Sequence, residues 1–160
     1  MSPSYWGSAL SVVSAGLMRD CAKNSFAAGT LVLMADGSRK RIEDVGVGDE
    51  VLATDPETGE SGARKVTALH RNKDTDMADV TIRTADGHET TIHATQHHPF
   101  WDETRRAWVD AADLKAGDNL ISPDGKSAYV VKVRSFAATK YMYNLTVAGL
   151  HVLSTRLANW

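Results

Sequence analysis

From residue 30 onward the apolar positions fall into short runs rich in Val, Ile, Thr and Leu, each four to nine residues long and separated by turn dipeptides. This is the pattern of an all-β domain and leaves almost no room for a helix. The runs are Thr30–Met34, Glu50–Thr54, Lys65–Arg71, Met77–Thr84, Glu89–Ala94, Asn119–Ser122, Ala128–Phe136 and Tyr141–Val147. Between them lie Asp36-Gly37, Asp55-Pro56 with Thr58-Gly59, Asp86-Gly87 and Asp124-Gly125. Glycine supplies positive φ without a steric cost and aspartate closes a side-chain turn, so these are hairpin signals with a mechanism. Residues 1–20 differ. Trp6, Ala9, Leu10, Val12, Val13 and Leu17 stand among Ser, Gly and Ala, a spacing loosely compatible with one short amphipathic helix. The expected division is a lead-in segment, 1–20, followed by one domain, 21–160.

A weak internal repeat constrains the topology further. Asp44-Val45-Gly46-Val47-Gly48-Asp49-Glu50-Val51-Leu52 resembles Asp113-Leu114-Lys115-Ala116-Gly117-Asp118-Asn119-Leu120-Ile121. Asp79-Val80-Thr81-Ile82 resembles Asn144-Leu145-Thr146-Val147 at nearly the same offset. Two matches in the same order predict a duplicated, pseudo-twofold β architecture. Asp49 and Asp118, each after a Gly and before a strand, are expected to cap backbone rather than to catalyse.

Composition narrows the function. The chain has 160 residues, 42% hydrophobic and 24% charged, the balance of one globular domain with a buried core. A net charge of −2 is too small to supply the basic footprint of a nucleic-acid binder. No run approaches the ~18 consecutive apolar residues of a membrane span, and the first basic residue is Arg19, so a basic signal-peptide start is missing. The expectation is a soluble, cytoplasmic protein with neither nucleic acid nor membrane as partner. Cys21 is the only cysteine, which rules out an intrachain disulfide and a cysteine-based zinc site. Arg39-Lys40-Arg41 and Arg105-Arg106 read as solvated basic faces, and Trp101 and Trp108 as aromatic packing across a hairpin.

A single cysteine is useful as a nucleophile only where a histidine or an electropositive pocket lowers its pKa. Six histidines are present, His70, His88, His93, His97, His98 and His151, densest in Ile92-His93-Ala94-Thr95-Gln96-His97-His98-Pro99. As metal ligands His93, His97 and His98 lack a carboxylate or cysteine at a familiar spacing, so neither a metal nor a cofactor is expected. As acid/base chemistry, Thr95 and His98 form a Thr-x-x-His unit at a strand end, with Pro99 fixing the backbone beyond it. The plain alternative is a set of turn and surface histidines.

Together these residues resemble the Hint (Hedgehog/intein) domains, closest to the bacterial intein-like and pretoxin members. Cys21, Ser25-Phe26-Ala27-Ala28-Gly29-Thr30, Leu33-Met34-Ala35-Asp36-Gly37-Ser38, Val47-Gly48-Asp49-Glu50-Val51-Leu52-Ala53-Thr54-Asp55, Thr95-Gln96-His97-His98-Pro99-Phe100-Trp101 and Tyr143-Asn144-Leu145-Thr146-Val147 carry the likeness, in order, up to about His151. The resemblance implies a compact all-β horseshoe of two pseudo-symmetric halves, in agreement with the repeat. It also implies bacterial origin and association with secreted toxin systems.

The chemistry implied is autocatalytic. Cys21 attacks the Asp20 carbonyl and converts the Asp20-Cys21 amide to a thioester. His98 protonates or polarises the scissile nitrogen, and Thr95 orients that peptide. His97 lies off the motif and is expected to be exposed. Water or another nucleophile, small or protein, then takes the acyl group, so the substrate is the chain's own N-terminal flanking peptide. His151 matches the family's late-motif histidine. Beyond it the terminal His-Asn pair that supports C-terminal cyclisation is missing, and Asn159 stands before Trp160, so splicing is expected to be lost. Two other readings remain: a decayed Hint domain kept as a β scaffold or interaction module, and a free-standing cysteine hydrolase.

Overall fold

The computed structural model describes residues 25–54, 59–121 and 126–148. The lead-in segment, Asp20, Cys21, His151 and the Asp124-Gly125 turn lie outside the described residues. Ten strands follow one another: β1 Phe26–Ala27, β2 Leu31–Leu33, β3 Arg39–Arg41, β4 Glu50–Thr54, β5 Ser61–Thr84, β6 Glu89–Thr95, β7 Pro99–Asp102, β8 Ala107–Asp110, β9 Asn119–Ile121 and β10 Ser127–Val147. Among the described residues the only helical pieces are two 3-10 turns, Ile42–Asp44 and Ala111–Asp113. The fold is all-β, as the run pattern predicts.

The runs expected as four strands, Lys65–Arg71, Met77–Thr84, Ala128–Phe136 and Tyr141–Val147, are in fact two. β5 is 24 residues long and β10 is 21. They pair antiparallel from Thr84↔Ala128 to Val66↔Val147, with register shifts at Val130/Lys132, Ala137/Lys140 and Thr146/Val147. The polar stretch Asn72–Asp76 offers few side chains to bury and so reads as a break. It stays extended because its backbone is laddered to the partner strand, Asn72 opposite Met142 and Asp74 opposite Lys140. Inter-strand hydrogen bonds, not apolar alternation, sustain a strand there.

The largest sheet runs β4-β5-β6-β1-β10-β9, and the extra β5–β10 pairing joins its members a second time. β5, β6, β1 and β10 thereby close into a ring. Two small hairpins, β2–β3 and β7–β8, cover it. Inside are Phe26, Val32, Ile42, Val51, Val80, Ile82, Phe100, Leu120, Val130 and Leu145, all buried in one continuous core. In β7–β8 Trp101 lies directly opposite Trp108, their rings edge-to-face at 5.5 Å, which is the aromatic cross-strand packing expected.

The repeat is realised step by step. Each half has a hairpin, a 3-10 turn, a Gly-Asp turn, a short strand and a long one. In the first half the Asp49 carboxylate accepts the Gly46 N–H at 2.8 Å; in the second the Asp118 carboxylate accepts the Lys115 N–H, also at 2.8 Å. Gly48 donates to the Val66 carbonyl and Gly117 to the Val130 carbonyl, both at 2.8 Å. These aspartates therefore cap backbone, as expected. The basic runs are less free than they look in sequence. Lys40 pairs with Asp49 at 2.9 Å, and Arg105 reaches both Asp102 and Asp118 at 3.3 Å, tying a buried carboxylate to the second Gly-Asp turn.

Gly48 and Gly117 sit at φ 94° and 95°, a region L-residues rarely adopt, with open space where a Cβ would stand. Alanine there meets backbone strain alone. Gly48→Ala and Gly117→Ala are each expected to lower the unfolding free energy by about 1–2 kcal/mol. Gly46→Ala, where the nearest atom to a Cβ is an Asp49 carboxylate oxygen at 3.7 Å, should be close to neutral. Urea denaturation of the three variants checks this.

Candidate functional site

The Thr-x-x-His unit is a tight turn at the end of β6, closed by the His98 N–H donating to the Thr95 carbonyl at 3.1 Å. Beyond it Pro99 opens β7, where its fixed φ suits an extended strand. The His98 carbonyl accepts the Ala111 N–H at 2.8 Å, anchoring the turn to the second 3-10 turn. The corresponding turn of the first half is Ala27 to Thr30. Thr30 N–H donates to the Ala27 carbonyl at 3.3 Å, and the Thr30 carbonyl accepts the Ile42 N–H at 2.8 Å. Phe26 and Ala94, each one step before these turns, are direct partners in the β1–β6 pairing. The pseudo-twofold axis therefore passes between them, and the site lies beside it. One backbone device is built twice, and only the second copy carries a histidine.

His98 is 1% exposed. Its ring packs on Phe26, centroids 4.1 Å apart, and edge-to-face on Phe100 at 5.4 Å. Burial among these rings depresses its pKa from the ordinary 6.5 to about 3, the Pro99 carbonyl opposing only in part. The imidazole is thus neutral at physiological pH. Nδ1 lies 3.2 Å from the Pro99 carbonyl. A carbonyl can only accept, so this contact puts the ring's proton on Nδ1 and leaves the lone pair on Nε2.

Thr95, 3% exposed, holds Ser25 from two sides. Its Oγ1 accepts the Ser25 N–H at 3.0 Å, and its own N–H donates to the Ser25 carbonyl at 2.9 Å. Ser25 is completely buried. In the sequence Ser25 stands only within a motif, and no local pattern marks it as part of the site. Its position depends on a residue 70 positions away, and nothing in its own neighbourhood signals that. Phe26, which walls the imidazole, was missed for the same reason.

The other histidines of the cluster are not drawn into the site. His93 pairs with Asp79 at 2.6 Å, and His97, exposed, with Asp110 at 3.3 Å. Among the described residues no group of three or more His, Cys, Asp or Glu side chains is arranged to hold a metal ion. No helix among them is long and apolar enough to cross a membrane.

The sequence model of the pretoxin Hint domain family matches residues 31–157. Among solved structures, the chain is similar to a bacterial intein-like domain from Clostridium thermocellum, at 30% identity and a TM-score of 0.69, over 79% of this chain and 88% of that one. It is similar in fold to the PabCDC21-1 intein, at 21% identity and a TM-score of 0.66, over 84% of this chain and 96% of that one. A DnaB intein from Synechocystis sp. PCC 6803 matches at 21% identity and a TM-score of 0.62, over 78% and 88%. No curated protein matches in sequence.

A histidine neutral when folded and titrating normally when unfolded makes stability depend on acid. Between pH 6.5 and about 3 the folded chain binds fewer protons than the unfolded one. His98 therefore costs nothing above pH 6.5 and removes stability as the pH falls below it, by up to about 1.4 kcal/mol per pH unit. Urea midpoints measured from pH 7 down to 4.5 should fall with this added slope, and His98→Gln should flatten it.

Proposed function

Since the chain belongs to the pretoxin Hint domain family, we propose that it is a self-processing domain that breaks its own backbone on the N-terminal side of the Thr95–His98 turn. The observation that carries this is the pairing of a buried, neutral imidazole with a threonine seated on a buried backbone amide. An amide resists attack because resonance stabilises it. Cleavage needs an aligned nucleophile, a proton for the departing nitrogen and a fixed peptide. A base that is neutral at rest can take the nucleophile's proton. Its conjugate acid, held in a site that disfavours charge, gives that proton up readily.

In the form the sequence implies, Cys21 Sγ attacks the Asp20 carbonyl. The C–S bond forms, the C–N bond breaks, and the thiol proton passes through His98 Nε2 to the Cys21 nitrogen. The thioester is then hydrolysed by water or taken by another nucleophile, releasing the N-terminal peptide. Only three residues, a span of at most about 14 Å when extended, separate Cys21 from Ser25. In the same form His151 belongs to the C-terminal stage. The pretoxin membership supports a place in a toxin system, with the domain acting once on its own chain. The divergence of residues 152–160 from the family pattern favours, as second reading, a domain that retains the scaffold without the chemistry.

Intact-mass spectrometry of the purified chain separates the two. A self-processing domain sheds an N-terminal peptide, and His98→Ala should slow this at least ~100-fold. Acceleration by dithiothreitol and loss in Cys21→Ala would identify the thiol as nucleophile. Full-length mass persisting for days would establish the scaffold reading.

A further inference from the structure

Five buried side-chain polar atoms among the described residues have no hydrogen-bond partner, and one of them, Ser25 Oγ, lies in the site. Its residue is otherwise satisfied to an unusual degree. Ser25 N–H is held by Thr95 Oγ1 at 3.0 Å, and the Ser25 carbonyl by Thr95 N–H at 2.9 Å. The next residue, Phe26, stacks on the His98 ring at 4.1 Å. A hydroxyl that is completely buried yet unpartnered, on a backbone clamped from both sides, needs an explanation, because such groups are rare and destabilising unless used.

The nitrogen that Thr95 holds is the nitrogen of the Asn24–Ser25 peptide bond. It is the atom that must leave, as an amine, if that bond is the one broken. From these contacts we infer that the Thr95–His98 unit acts on the Asn24–Ser25 bond, with the Ser25 hydroxyl as nucleophile in an N-to-O acyl shift. The inference rests on the self-processing reading and replaces only its nucleophile and its bond.

The step balances with groups the chain supplies. Ser25 Oγ attacks the Asn24 carbonyl carbon and the C–O bond forms, while the hydroxyl proton passes to His98 Nε2. On collapse the C–N bond breaks and the same proton moves from the imidazolium to the Ser25 nitrogen. The result is an ester between Asn24 and Ser25 Oγ, with a free α-amine on Ser25. Water then converts the ester to the Asn24 carboxylate and restores the hydroxyl. Thr95, accepting from the Ser25 N–H, holds the scissile peptide in one orientation throughout. The ring proton on Nδ1, directed at the Pro99 carbonyl, keeps the Nε2 lone pair available.

Ester and thioester differ in reagent sensitivity, and the two bonds give products that differ by residues 21–24. The full chain is incubated with hydroxylamine or with dithiothreitol, and the products are read by intact mass. The expected result is a hydroxylamine-released product beginning at Ser25. It should form equally in wild type and Cys21→Ala, fall at least 100-fold in Ser25→Ala, and respond little to dithiothreitol. In Ser25→Cys the same bond should become sensitive to dithiothreitol, a gain that a merely structural serine would not give. Circular dichroism of Ser25→Ala checks that the loss is not unfolding. A product beginning at Cys21, lost in Cys21→Ala and retained in Ser25→Ala, would overturn the inference and leave self-processing standing. No product under either reagent, in wild type or Ser25→Cys, would overturn both.

Discussion

The ladder between β5 and β10 is what the rest of the molecule hangs on. Pairing that extends from Thr84↔Ala128 to Val66↔Val147 gives both strands a partner over nearly their whole length. Each long strand is thereby free to take further partners on its other edge. β5 adds β4 near its start and β6 near its end, while β10 adds β9 near its start and β1 near its end. The two Gly-Asp turns deliver β4 and β9 to equivalent places, and the two hairpins close over one core. Without this ladder neither half would have a second layer against which to bury Val80, Ile82, Val130 and Leu145.

The frame is symmetric and the side chains it carries are not. The Ala27-to-Thr30 turn and the Thr95-to-His98 turn share their closing hydrogen bond and their anchor to a 3-10 turn. They differ in what they carry. In the first, the Thr30 hydroxyl folds back onto the Ala27 carbonyl at 2.7 Å and ends there. In the second, Thr95 reaches across the axis to Ser25, and His98 turns inward between Phe26 and Phe100. Duplication supplies rigid positions, and side-chain identity alone distinguishes one from the other. Such placement on a packed frame, rather than on a free loop, is what proton transfer over short distances demands.

Much of this was legible in the sequence, and the exceptions share a cause. The strand runs, the Gly-Asp turns, the repeat and the Thr95–His98 unit depend on local patterns and could be read directly. The breaks expected at Asn72–Asp76 and Ala137–Lys140 shrink to one register shift between Ala137 and Lys140, because the partner strand ladders the residues on either side of it. Arg105 looked solvated because neither Asp102 nor Asp118 identifies itself as its partner before the hairpin folds. Ser25 escaped notice because a serine in a short polar stretch looks exposed, and its burial is decided by Thr95. Local patterns predict elements; encounters between elements build the site.

The separation of 70 residues between Ser25 and Thr95 also acts as a clock. Phe26 pairs not only with Ala94 but with Tyr143, so β1 reaches its final seat only after almost all of the domain has left the ribosome. Closing so long a loop is entropically opposed until the β5–β10 ladder repays it. The contact between Ser25 and Thr95 therefore cannot form until nearly the whole domain has been made.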